Sequence, residues 1–163
     1  MTVTLPTSRS IAMHEAHHAA ALCHAGMVPK CVRIDWPAAD LAGFVTIDWG
    51  DGADADKAKR VLVAILLGAM TEGFEGWDNW PIDPDRAPVG ARRDAEQARH
   101  LAGYLKLDRV GWLHVLWKAN RLARRSGFRR LAVAIADELE RVEVLSAQDL
   151  EELIATTEET WST

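Results

Sequence analysis

The sequence predicts a mainly helical (α+β) domain that carries one small antiparallel sheet. Apolar residues recur at helical spacing through most of the chain, two short segments on either side of residue 40 switch to alternation, and one proline-rich loop interrupts the pattern. No internal repeat and no dividing linker is visible, so residues 1–163 are expected to form one domain.

Thr7, Ser8 and Ser10 offer N-caps to a first helix whose periodic residues run over 11–22, and Gly26 fits its C-terminal stop. Residues 31–36 and 44–49 alternate and are rich in β-branched and aromatic side chains, which predicts two antiparallel strands joined by the loop 37–43. Asp54 or Asp56 caps a long apolar helix reaching about Phe74. The stretch GWDNWPIDPDRAPVG holds three prolines and reads as a loop, with Trp77 and Trp80 either folded back on the core or forming an apolar lip. Further helices are expected over 91–107, 108–125 and 128–142, the last two separated at Ser126-Gly127. Ser146 and Asp149 form a Ser-x-x-Asp cap for a final helix.

Composition narrows the function. A net charge of −5 gives no reason to expect nucleic acid or an anionic membrane as partner. The basic run Lys118, Arg121, Arg124, Arg125, Arg129 and Arg130 reads as a solvated face, with contact to an acidic partner as its functional alternative. Two cysteines make no disulfide framework, and the start MTVTLPTSR has no apolar signal core, so a cytoplasmic location is expected. The longest apolar stretch, residues 61–70, is about half of what a bilayer crossing needs, and no membrane insertion is expected.

Four of the six histidines fall within residues 14–24. His14, Glu15 and His18 spell H-E-x-x-H, with His17 inside it. On a helix His14 and His18 lie one turn apart on one face, where two imidazoles can reach one Zn²⁺. Glu15, beside that pair, can reach a metal-bound water, take its proton and pass it to a leaving amine. By chance such a motif arises with a probability on the order of one in a hundred, so a third ligand is needed to complete the case. Two carboxylates qualify by helical phase. Asp94 shares a face with Ala98, Leu101 and Leu105, and Glu72 shares one with Ile65, Gly68 and Ala69. Phase alone does not separate them. Cys23 lies on the opposite side of the helix from His14 and is expected to pack, while His100 and His114 read as single structural or exposed histidines.

In these residues the chain resembles the peptidase domain of the FtsH-type ATP-dependent zinc proteases. That family carries H-E-A-G-H-A where this chain has His14-Glu15-Ala16-His17-His18-Ala19. Pro29-Lys30-Cys31-Val32-Arg33-Ile34 and Ala42-Gly43-Phe44-Val45-Thr46 are similar to its two strands, and Leu67-Gly68-Ala69-Met70-Thr71-Glu72 to its Gly-Gly-Arg-Ala-Ala-Glu. Gly90-Ala91-Arg92-Arg93-Asp94 looks like its Gly-Ala-x-x-Asp, whose Asp is the third zinc ligand, and residues 143–150 are similar to its Glu-Thr-Leu-x-x-x-Glu-Leu. The resemblance therefore favours Asp94 as the ligand and leaves Glu72 to hydrogen-bond a ligand imidazole. Three departures stand beside it. The family's membrane anchor and ATPase module are not seen in these 163 residues, which contain no G-x-x-x-x-G-K-[ST] phosphate loop. His17 replaces a glycine, and the insert 77–89 is bulkier than the family's turn.

The resulting expectation is a zinc metalloendopeptidase that hydrolyses unfolded polypeptide. Its ligands are His14, His18 and Asp94, its general base is Glu15, and the segment Gly43, Phe44, Val45 and Thr46 is an edge on which an extended substrate adds. A separate ATPase or other protein partner and, from the family's ring assembly, a homo-oligomer are compatible with the resemblance. The alternative is an inactive peptidase-derived interaction module, with structural zinc or none.

Overall fold

The computed structural model describes residues 7–34, 43–48, 54–73 and 75–159. It is mainly helical, with one small antiparallel sheet, as the periodicity predicts. The order is α1 (Ser8–His24), β1 (Cys31–Ile34), β2 (Gly43–Thr46), α2 (Ala55–Met70), α3 (Val89–Tyr104), α4 (Arg109–Ala123), α5 (Ser126–Val142), β3 (Val144–Ser146) and α6 (Ala147–Glu159). Two short 3-10 turns, Glu75–Asp78 and Pro84–Arg86, lie between α2 and α3.

Helix α1 is the axis of the fold, packed between α2 and α5 with the sheet across it. Its sequence makes this possible. Ala12, Ala16, Ala19 and Ala20 are fully buried, and side chains that small let neighbouring helices approach closely. Leu62, Leu66 and Leu67 of α2 and Ile135 and Leu139 of α5 fill the space on either side. Local chemistry sets the ends. Thr7 Oγ1 accepts from Ser10 N at 3.1 Å, Asp54 from Lys57 N at 2.6 Å and Asp108 from Gly111 N at 2.7 Å. Gly26, at φ 73°, supplies the left-handed residue after α1. Ser146 N donates to Asp149 Oδ2 at 2.7 Å, and Asp149 N donates back to Ser146 Oγ at 3.3 Å, closing the expected cap.

The sheet has the order β2-β1-β3 with both pairs antiparallel. Val32 lies opposite Val45 on one side and Leu145 on the other. β3 has no counterpart in the sequence reading, because three residues are too few for alternation to register. The strand-joining loop and the far end of the first strand fall outside the described residues. β2 begins at Gly43, one residue early, and α2 ends at Met70 rather than near Phe74. The break before α5 lies at Arg124-Arg125. Ser126 and Gly127 form its first turn instead, a position where helix-weak residues are tolerated. The tryptophan loop folds back on the core. Trp77 is buried, its carbonyl accepts from Trp112 Nε1 at 2.6 Å, and Trp80 lies on Trp112 with ring centroids 5.6 Å apart. Among the described residues no helix is long and apolar enough to cross a membrane.

Candidate metal centre

Polar residues in the middle of a buried alanine-rich helix carry a desolvation cost unless they meet partners. His14, Glu15 and His18 are all buried on α1, and Asp94 is buried on α3. The fold brings three of them to one point. His14 Nε2 lies 3.0 Å from His18 Nε2 and 3.0 Å from Asp94 Oδ2, and His18 Nε2 lies 3.3 Å from the same oxygen.

The ring orientations follow from what lies behind each imidazole. His18 Nδ1–H donates to the carbonyl of Ala64 at 2.8 Å, a bond whose sense is fixed because a carbonyl only accepts. His14 Nδ1 lies 3.3 Å from Glu72 Oε1, within ion-pair reach but out of line for a good hydrogen bond. With protons on the Nδ1 atoms, each neutral ring turns a lone pair on Nε2 toward the other ring and toward Asp94 Oδ2. That oxygen is itself buried without a well-aligned hydrogen bond. Three acceptors facing one another at 3.0–3.3 Å repel unless a cation or shared protons lie among them. Two imidazole nitrogens and a carboxylate oxygen form a donor set suited to Zn²⁺, whose bonds of about 2.0–2.1 Å in tetrahedral array set such atoms about 3.3–3.4 Å apart. The residues fit the ion.

The electrostatics agree in direction. Burial alone would lower the His14 and His18 imidazoliums, but Asp94, joined at His14 by Glu72, outweighs it and raises both. Burial alone would raise the Asp94 carboxyl, and the two imidazoles instead hold it well below the usual carboxylate range. Glu15 goes the other way. Burial raises it, against partial opposition from His18 and His14.

Three glycines make room for these side chains. A Cβ at Gly68 would stand 2.2 Å from His18 Cε1, one at Gly43 would stand 2.6 Å from Glu15 Cγ, and one at Gly90 would stand 2.9 Å from the Glu72 carboxylate. The sequence reading assigns no role to Gly68 or Gly90 as glycines. The available signal is a glycine within an otherwise apolar helix face, Leu66-Leu67-Gly68-Ala69, which implies a close approach. Gly43 places Glu15 against the start of β2, which is an edge strand among the described residues, with Phe44, Val45 and Thr46 following along it.

The remaining histidines stay apart. His17 Nδ1–H donates to Met13 O at 2.7 Å, and its ring meets Phe128 of α5 edge-on at 5.5 Å, so it belongs to the α1–α5 contact. His114 stacks on Trp117, and His100 is exposed. Cys23 is half-buried against the core and unpaired. Compared with known proteins, the chain matches no family model and no curated sequence.

Proposed function

We propose that this chain is a zinc-dependent metalloendopeptidase of the FtsH type that cleaves unfolded polypeptide, with His14, His18 and Asp94 holding the ion and Glu15 as general base. The observation that carries the reading is the meeting of His14 Nε2, His18 Nε2 and Asp94 Oδ2 within 3.0–3.3 Å, with each histidine approached at Nδ1 from behind. A Zn²⁺ held there supplies Lewis acidity toward a peptide carbonyl and acidifies an attacking water.

Glu15 supplies the proton traffic. It is buried next to the cluster without belonging to it, and burial moves its carboxyl toward the range in which it can take a proton from water and return it to a leaving amine. The edge of β2, from Gly43 to Thr46, receives an extended substrate by main-chain hydrogen bonds and leads it to Glu15. Unfolded polypeptide is the substrate class because a folded one must first open before it can lie extended along a strand edge. A purely structural metal site would have no use for Glu15, which favours the peptidase over an inactive module. The test is cleavage of an unfolded polypeptide by the zinc-loaded chain. Glu15→Gln should keep the metal and lose cleavage, and full activity in that variant would overturn the assignment.

A further inference from the structure

One cation next in sequence to a cluster residue has no role assigned above. Arg93 immediately precedes Asp94 on α3, about 100° around the helix from it. The other flank of the helix, with Ala91, Ala95 and Ala98, is buried in the core. Arg93 instead shares a flank with Gly90, one turn earlier, whose position faces the Glu72 carboxylate. Its neighbour Arg92 is tied to Asp85 and, at 3.7 Å, to Glu96. Arg93 is exposed and has no ion pair among the described residues.

The other charged side chains at the centre, Glu15, Glu72 and Asp94, are carboxylates. With a divalent ion and neutral imidazoles they leave a net charge of about −1, so a substrate carboxylate near the ion is favoured only where a cation faces it. There a guanidinium offers a planar fork matched to a carboxylate.

We propose that Arg93 is a specificity-determining residue that binds a substrate carboxylate close to the scissile bond, on the α3 side of the metal centre. This rests on the peptidase reading. Arg93 adjoins a metal ligand and an extended chain advances about 3.3 Å per residue, so the carboxylate lies within about two residues of the cleaved bond. It comes from an Asp or Glu side chain or from a free C-terminus.

The experiment compares wild type, Arg93→Ala and Arg93→Glu after metal content has been measured in each. The first readout is binding to the Co²⁺-loaded chain, followed by its visible spectrum, of succinic acid monohydroxamate and of the corresponding amide. Wild type should bind the acid about five- to tenfold more tightly, Arg93→Ala should not discriminate, and Arg93→Glu should prefer the amide. The second readout is cleavage of peptide pairs, Glu against Gln near the scissile bond with an amidated terminus, and free against amidated terminus in a neutral peptide. The preference that Arg93→Ala loses identifies the carboxylate's source. If wild type and Arg93→Glu rank the hydroxamates alike while unfolded polypeptide is cleaved, the Arg93 proposal fails and the peptidase reading stands. If the hydroxamates rank as expected and nothing is cleaved, the peptidase reading fails and the carboxylate site stands. A chain with no metal overturns both.

Discussion

Gly68 lies against the His18 ring so closely that a single added carbon would stand 2.2 Å from it. In the last turn of α2 a glycine costs up to about 1 kcal/mol relative to alanine, so helix propensity by itself predicts that Gly68→Ala stabilises the chain. The centre predicts the opposite. The new methyl group must displace the His18 ring or α2, at about 1–3 kcal/mol, and spoil the bond to Ala64 O. Thermal unfolding of the metal-free variant reads the sign, and its zinc affinity should fall at least 10-fold.

Asp94→Ala should weaken zinc binding more than Glu72→Ala. Asp94 Oδ2 faces both Nε2 atoms, whereas Glu72 meets His14 from behind at Nδ1. Losing such an orienting partner typically costs about 10–100-fold in affinity, and losing the facing oxygen should cost more. Titration against a chelator of known affinity orders the two. Equal losses would assign Glu72 to the ion.

His17→Gly tests whether this histidine, standing where FtsH-type proteases carry a glycine, crowds the proposed cleft. His17 faces Phe128 and Met13 O, away from Glu15. The variant should retain zinc and show no gain in cleavage. It should lose about 1–3 kcal/mol of stability, from glycine in a helix and from the lost ring contact. A marked rise in cleavage would place the ring in the substrate's path.

The metal-free chain should lose stability as pH rises while the zinc-loaded chain stays nearly level above pH 6.5, because the gain in zinc affinity offsets the loss. In the metal-free centre His14 is raised from 6.5 to about 10, with the pull of Asp94 and Glu72 outweighing burial. A raised folded-state pKa stabilises while the group is protonated, so this contribution is whole below pH 6.5 and fades between 6.5 and about 10. Zinc must displace that proton, so zinc affinity rises with pH across the same window. Unfolding followed from pH 6 to 9, with and without zinc, reads both slopes, and parallel slopes would contradict the arrangement.

Much of this was legible in the sequence wherever the signal is local. Caps at Thr7, Asp54 and Ser146, and the stop at Gly26, mark helix ends because side chain and backbone within a few residues decide them. Tertiary contacts were not legible. Helical phase leaves Asp94 and Glu72 level because each shares an apolar face, and only the packing of α3 and α2 on α1 sets one before the Nε2 atoms and the other behind His14. β3 was missed because three residues are too few for alternation to register. The break expected at Ser126-Gly127 fell two residues early because weak helix formers are tolerated in a first turn.

The most direct test of the central claim is metal stoichiometry of the purified, zinc-equilibrated chain, alongside His14→Ala, His18→Ala and Asp94→Ala. If His14 Nε2, His18 Nε2 and Asp94 Oδ2 hold the ion, wild type binds about one zinc per chain, the two histidine variants bind none after dialysis, and Asp94→Ala is sharply weakened. Wild type without zinc, or stoichiometric zinc surviving either histidine substitution, would contradict the account.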